Sequence, residues 1–490
     1  MLYDLLLLGG TVIDGSGVPR MRADVGIIDG RIAAVGDLSA AQAQRSLDVA
    51  GLIVAPGFID SHAHDDFAVL ETPAMAFKAL QGVTTVVNGN CGLSLAPLVT
   101  QAAVQPPLNL LGDAYRYPTF AAYRAAIEAA DPAVNVVAMV GHSTLRVRHM
   151  GTLDRAATAD EIEAMRADFA QALHEGAIGL STGTFYPPAA AASEAEIIAV
   201  AAPMRECGGV YATHMRDEGD QIVPAIEESL RIGAALEAPV IISHHKLVGQ
   251  ANHGRSVETL ALLSQAAQHQ DLCLDCYPYA ASSTMLRPER IALCDRIMIT
   301  WSAPHPEVSG RDLHDIAGEW GCTAHEAAVR LQPGGAVYFI MSEDDVQRIL
   351  AFPETMVGSD GLSKDARPHP RLWGTFPRVL GHYARDVGLF SLETAVHKMS
   401  GLTALKFGLT DRGAVRAGAV ADLAIFDAAS VASPATFDSP AEPPIGMRHV
   451  LLGGRLTVEN GTLTGARGGR YLSSSLVVTS AGSGHHGPEG

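Results

Sequence analysis

Gly57-Phe58-Ile59-Asp60-Ser61-His62-Ala63-His64-Asp65-Asp66 runs from apolar residues straight into an HxH pair and two acids. In an extended segment, side chains at i and i+2 share a face, so His62 and His64 can reach one ion. Their placement counts for more than the pair itself. Polar residues just after a short apolar run are what the C-terminal end of a parallel strand presents, and barrel active sites are built from such ends. Outward from this stretch the pattern repeats. Between about Phe58 and Phe407, Ala-rich helical segments alternate with apolar runs at Gly57–Ile59, Thr84–Asn88, Val134–Val140, Ile178–Ser181, Val210–Thr213, Val240–Ser243, Leu272–Asp275 and Thr355–Val357. This is the texture of βα units on a parallel sheet. Eight runs over roughly 350 residues predict an α/β fold of the closed (β/α)8 TIM barrel type rather than an open doubly wound sheet. No GxGxxG follows the first run.

The other strand ends offer chemistry of the same kind. The second leads into Asn88-Gly89-Asn90-Cys91-Gly92, where flanking glycines permit an unusual backbone and Cys91 offers a soft thiolate. The fifth and sixth lead into Thr213-His214-Met215-Arg216-Asp217-Glu218 and Ser243-His244-His245-Lys246, and the last into Gly358-Ser359-Asp360-Gly361. Each is ambiguous by itself, since a strand-end His can cap carbonyls and Ser-Asp-Gly is a good turn. Together, His62, His64, Cys91, His214, His244 and Asp360 are hard to explain as turns. Zinc favours N and S donors, tolerates Asp, and in a catalytic site keeps a position for water. Cys273 and Cys276 form a CxxC without a second pair, along a predicted strand, and are expected to be core. The Ser181-Thr182-Gly183-Thr184 and Ser282-Ser283-Thr284 runs lack a paired base, which disfavours a serine nucleophile.

The two ends differ from the middle. Residues 1–57 are short β-rich runs (Tyr3–Leu8, Asp24–Ile28, Ile32–Val35, Leu52–Val54) separated by Gly9-Gly10, Asp14-Gly15 and Asp29-Gly30. Val420–Phe426, Met447–Leu452 and Arg455–Val458 have the same texture, so 1–57 and 409–468 are expected to form one small all-β domain, a sandwich or barrel, beside a barrel at 58–408. Pro- and Trp-containing residues 281–345 read as a lid inserted over the barrel, and 469–490, with His485-His486, as a disordered tail. The net charge of −18, from 35 bases and 53 acids in 490 residues, argues against nucleic acid or anionic membranes as partners. Six cysteines are too sparse for a disulfide scaffold and point to a reducing, cytoplasmic setting. Leu5-Leu6-Leu7-Leu8 has no basic flank and runs into Gly9-Gly10, so it reads as a strand, and no apolar stretch reaches membrane-spanning length.

Seven stretches carry a resemblance: GFIDSHAHDD (57–66), NGNCGLSLAP (88–97), EGAIGLSTGTFYPP (175–188), THMRDEGD (213–220), ISHHK (242–246), VGSDG (357–361) and HPRLWGTFPRVLGHY (369–383). Through them the chain resembles the amidohydrolase superfamily, and within it the N-acyl-D-amino-acid deacylases, to about residue 470. The resemblance implies Zn2+-dependent hydrolysis of a small-molecule N-acyl-D-amino acid to a carboxylate and a free D-amino acid. It implies a tighter zinc on Cys91, His214 and His244, and a second subsite of His62, His64 and Asp360 that is weakly occupied or empty. His245 is then a supporting residue. Asp360 would be the general base and acid toward a water activated by zinc. Lys246, Tyr277, Ser283 and Arg371 match positions that meet the substrate α-carboxylate, and Phe185 and Met341 would line a pocket for neutral or hydrophobic side chains. Arg287 and Arg290 in the lid would instead suit an acidic side chain, as in relatives acting on N-acyl-D-glutamate or D-aspartate. Two competing expectations are a cyclic amidase of the dihydropyrimidinase type, which would need a bridging lysine, and a barrel scaffold without catalysis.

Overall fold

A computed structural model describes residues 2–112 and 115–478. Eight parallel strands form its centre: β1 (Phe58–Asp60), β2 (Val83–Asn88), β3 (Asn135–Ala138, extended by Val140–Gly141), β4 (Gly179–Gly183), β5 (Val210–His214), β6 (Val240–Ile242), β7 (Leu272–Cys276) and β8 (Thr355–Val357). Each falls on a predicted apolar run. Pairing is parallel from β1 to β2 to β3, from β3 to β4 through Val140 and Leu180, and onward through β5, β6 and β7 to β8. The Ser61 N–H donates to the Val357 carbonyl at 3.3 Å, which brings β8 back to β1 and closes the barrel. In this circular order β5 stands across from β1.

The helices form where caps and apolar spacing agree. Ala159–His174 starts at Thr158, whose side chain accepts from the Glu161 N–H while Glu161 answers to the Thr158 N–H. Such a capping box stabilises a helix by about 1 kcal/mol. Met165, Phe169, Ala172 and Leu173 recur at helical spacing and are the face it buries.

Inward-facing Ile59, Val87, Val137, Ile178, Val210, Ile241, Cys273 and Met356 fill the lower barrel, joined there by Leu402, Phe407, Leu409 and Leu472. Cys276 belongs to a different cluster, on the outer side of β7. Residues three apart on a strand point to opposite faces, so the CxxC thiols are separate core side chains.

Leu472 requires a correction to the expected tail. Residues 469–478 are not loose: Tyr471 and Leu472 are buried. The Val136 N–H donates to the Arg470 carbonyl at 3.0 Å, the Leu472 N–H donates to Val136 at 2.8 Å, and the Tyr471 hydroxyl donates to the Gly176 carbonyl at 2.9 Å. Composition suggested disorder because the stretch runs on into Gly- and Ser-rich sequence, yet its Tyr471 and Leu472 meet the open lower end of the barrel, with Leu476 packed beside them. His485 and His486 lie outside the described residues.

Ile53–Pro56 pairs antiparallel with Leu423–Phe426, so strands from both ends share one seven-stranded sheet. A second sheet orders Arg31–Gly36, Asp24–Ile28, Leu2–Leu8 and Gln42–Asp48, and Leu5, Leu7, Val25, Ile27, Leu423 and Ile425 pack together between the two. Gln42–Asp48, a polar edge strand parallel to Leu2–Leu8, escaped the sequence pattern because it buries no apolar face. Between β7 and β8, strands Ser282–Met285, Ile297–Ser302 and Gly334–Tyr338 form a small antiparallel sheet with helices Leu313–Glu319 and Ala324–Arg330. Among the described residues no helix is long and apolar enough to cross a membrane.

Candidate metal centre

His62 and His64 leave the end of β1, Cys91 follows β2, His214 ends β5, His244 follows β6 and Asp360 follows β8. All six are buried at the C-terminal side of the barrel. The Cys91 sulfur lies 3.2 Å from His62 Nε2 and 3.3 Å from His244 Nε2. Asp360 Oδ1 lies 3.2 Å from His64 Nε2 and 3.7 Å from His62 Nε2. The His214 ring packs against that of His244, centroids 4.4 Å apart. Three donor sets each fall within 4.8 Å: His62, Cys91 and His244; His62, His64 and Asp360; and His214, Glu218 and His244. The predicted set of Cys91, His214 and His244 thus differs in its nearest partners. His62 joins Cys91 and His244 in one set, and Glu218 joins His214 and His244 in another.

The local backbone explains how the donors are aimed. Cys91, His244 and Asp360 have left-handed φ angles of 55°, 34° and 49°. This region costs a non-glycine residue roughly 1–3 kcal/mol and persists only where surrounding bonds over-determine it. Here they do. Cys91 sits between Gly89 and Gly92, themselves at φ 76° and 77°, and the Gly92 N–H donates to Ser181 Oγ at 2.9 Å. The His244 N–H donates to Asp275 Oδ1 at 2.8 Å, and the Asp360 N–H donates to the His62 carbonyl at 2.8 Å.

Two acids with no assigned role in the sequence reading organise the centre. Asp275, in β7, approaches His62 Nδ1 at 3.2 Å with the oxygen not used by His244. Alternation from the inward Cys273 would have flagged it as inward-facing. Glu218 lies 3.1 Å from His244 Nδ1 and 3.8 Å from His214 Nε2, and pairs with Lys246. A third feature, Lys78, ties β1 to β8: its ammonium donates to Asp60 at 2.6 Å and to Ser359 Oγ at 2.7 Å. Nothing in the sequence around Lys78 marks it.

The electrostatics suit a cation. Burial pushes the Cys91 thiol up, but His62 and His244 beside it outweigh that and hold it well below its usual range. Burial likewise raises Asp360, and Arg371 with His64 brings it well below the usual carboxylate range. His214 is lowered by burial, so it is neutral and available as a donor. Neither ring nitrogen of His214 has a hydrogen-bond partner among the described residues, nor does His64 Nδ1. Buried polar atoms are rarely left so. A thiolate, imidazoles and a carboxylate converging with unpaired nitrogens are a donor set that zinc fits.

The predicted substrate contacts gather beside these donors. Arg371 lies 2.9 Å from Asp360 and stacks over Tyr277, with its Cζ 4.5 Å from the ring centroid. It also donates to the Ser283 carbonyl at 3.1 Å. Lys246 lies 5.8 Å from the Tyr277 ring centroid, and the Tyr277 hydroxyl points at the Met341 sulfur at 3.6 Å. Phe185 stacks on His214, centroids 5.0 Å apart. Phe185 also borders a cavity of about 240 Å3 shared with Glu218, Arg287 and Arg290. The Arg287 guanidinium lies 4.5 Å from the Phe185 ring centroid. His245 turns away to Thr259 Oγ1, 2.9 Å distant.

An amidohydrolase family model matches residues 45–296 and 312–458. The chain belongs to the amidohydrolase family. This amidohydrolase is 57% identical to a D-aminoacylase of Alcaligenes xylosoxydans xylosoxydans, covering 97% of its own length and 98% of that protein. It is 51% identical to an N-acyl-D-aspartate deacylase of the same organism, over 97% and 96% of the two chains. Among solved structures, an N-acyl-D-glutamate deacylase from Bordetella bronchiseptica, in complex with zinc and a phosphonate that mimics the tetrahedral intermediate, superposes with a TM-score of 0.94 at 46% identity. The match covers 97% of this chain and 100% of that one.

Proposed function

We propose that this amidohydrolase is a zinc-dependent N-acyl-D-amino-acid deacylase, releasing a carboxylate and a free D-amino acid. The observation that carries the proposal is the convergence of Cys91, His214, His244, His62, His64 and Asp360 at one buried end of the barrel, beside Arg371 and Lys246. Cys91, His214 and His244 would hold the tighter ion, and His62, His64 and Asp360 a second. Zinc, when bound, supplies Lewis acidity that polarises an amide carbonyl and brings the pKa of water toward neutrality.

The remaining chemistry belongs to the chain. Asp360 takes the proton from the attacking water and delivers it to the departing amine nitrogen. His64, 3.2 Å from Asp360, and Arg371, 2.9 Å from it, fix the carboxylate in place. Arg371, Tyr277, Ser283 and Lys246 receive the α-carboxylate, with charge-assisted bonds from the two cations setting its direction and thereby the stereochemistry. The buried Ser283 hydroxyl has no hydrogen-bond partner among the described residues, which leaves it free for the substrate. Phe185 and Met341 receive a neutral or hydrophobic side chain.

A second reading has one observation in its favour. Arg287 and Arg290 line the Phe185 cavity, where they would pair with the carboxylate of D-glutamate or D-aspartate. Rates on N-acetyl-D- and N-acetyl-L-forms of Met, Leu, Phe, Glu and Asp, with and without zinc, test both. Preference for D-Met, D-Leu or D-Phe is expected. Preference for D-Glu or D-Asp selects the second reading, and zinc-independent or L-selective hydrolysis overturns both.

A further inference from the structure

A larger cavity, about 510 Å3, opens on the other side of the same centre. His64 lies on its boundary, and Phe67, Ala68, Phe77, Leu111 and Trp373 form apolar walls. These residues follow β1, β2 and β8, whereas the Phe185 cavity is built from residues following β4, β5 and β6 and from the lid. In a closed eight-stranded barrel those two groups of strands face each other across the axis. A substrate whose scissile amide sits between them therefore sends its two halves in opposite directions. With the α-carboxylate at Arg371 and the amino-acid side chain toward Phe185, the acyl group is left with the His64 side.

The geometry points to this cavity as the acyl site, shaped for a medium-length aliphatic or aryl acyl group and larger than an acetyl group needs. The assignment rests on the deacylase reading above. Its walls are fixed rather than loosely gathered: Phe67 and Ala68 are buried, and the Phe77 and Trp373 rings meet edge to face at 6.2 Å. The Lys364 ammonium, which also borders the cavity, lies 4.0 Å from the Phe67 ring centroid, and Glu71 and Asp365 complete the charged part of the lining. Pockets of roughly 300–1,000 Å3 with apolar walls and few polar groups are the usual form of small-molecule sites. At the ~30 Å3 that a water occupies, eight carbon-sized groups fill about half of the space.

The test is kcat/KM of the zinc-loaded protein on one D-amino acid carrying acetyl, butyryl, hexanoyl or octanoyl groups, repeated with Ala68→Phe and Ala76→Phe, two positions on the cavity wall. A rise of at least about twofold per added methylene is expected, below the roughly fourfold ceiling for complete burial. The rise should flatten in the variants. A flat or falling series in the unsubstituted protein overturns the acyl assignment and leaves the deacylase reading standing, as does a rise that both folded variants keep. Absence of turnover on every acyl form overturns the deacylase reading and this assignment with it. Should neither variant fold, the series on the unsubstituted protein decides.

Discussion

Asp275→Asn is the substitution that tests how this centre is held. Asp275 is buried; one carboxylate oxygen accepts the His244 backbone N–H at 2.8 Å and the other faces His62 Nδ1 at 3.2 Å. Asparagine keeps the shape and the first bond. Its amide nitrogen then faces His62 Nδ1 as a donor, so the ring must accept there and carry its proton on Nε2, the atom 3.2 Å from the Cys91 sulfur. A protonated Nε2 cannot offer a lone pair to a metal. Reversing one buried hydrogen bond costs about 1–3 kcal/mol, which is roughly five- to 150-fold in an equilibrium. Loss of an outer partner of a metal-binding His typically lowers affinity or activity by about 10–100-fold. The expected result is therefore a loss of about 10–100-fold in zinc affinity by chelator competition, with a parallel fall in kcat/KM. Far-UV circular dichroism should be unchanged. A folded variant whose zinc affinity and kcat/KM both stay within about threefold of the parent would refute the argument that Asp275 sets the His62 tautomer.

Other perturbations probe separate links. Cys91→Ala removes the soft donor between His62 and His244, so zinc content after dialysis should fall below that of the parent; equal content would remove Cys91 from the ligand set. Asp360→Asn should keep zinc on the Cys91 side and lose about 10²–10⁴-fold in kcat, the usual worth of a general base; near-parental turnover would remove Asp360 from proton transfer. Glu196 is buried against His142 and Arg146, and these partners overcome burial and hold its carboxyl at about 2. Because the folded value is depressed, its stabilisation is complete above the unfolded value near 4.5 and fades as pH falls toward 2. Glu196→Gln should cost about 3 kcal/mol at neutral pH, and the gap in urea midpoint should narrow below pH about 4.5; a gap independent of pH would contradict this. Tyr471→Ala removes a buried ring and its bond to Gly176, and should destabilise by about 3–5 kcal/mol; an unchanged melting temperature would show that residues 469–478 do not seal the barrel.

What could be read in the chain follows from how local each signal is. Alternating apolar runs and helical stretches are short-range patterns, and all eight barrel strands lie where the runs predict them. The His, Cys and Asp donors were visible because each stands directly after a run, and the strand–helix repeat makes that position mean one end of the barrel. The core assignment of Cys273 and Cys276 needed only the period of two along a strand. The supporting residues were hidden for the converse reason. Asp275, Glu218 and Lys78 act through partners that are remote in sequence or owe their meaning to burial, His62 and Ser359 among them, and each looks in isolation like a surface charge. The polar edge strand Gln42–Asp48 and the sealing Tyr471-Leu472 pair likewise have no pattern of their own, since a neighbouring edge supplies their structure.

The sequence by itself therefore determined the repeat, the closed barrel and the types of donor at its strand ends, because backbone periodicity and the order of strands are written locally. The tertiary structure decided which donors are nearest neighbours. It paired Cys91 with His62 and His244, Arg371 with Asp360 and Lys246 with Glu218, and it opened cavities on opposite sides of the centre. Those outcomes depend on how loops and side chains from strands remote in sequence meet once the ring is closed, and no local pattern carries those distances.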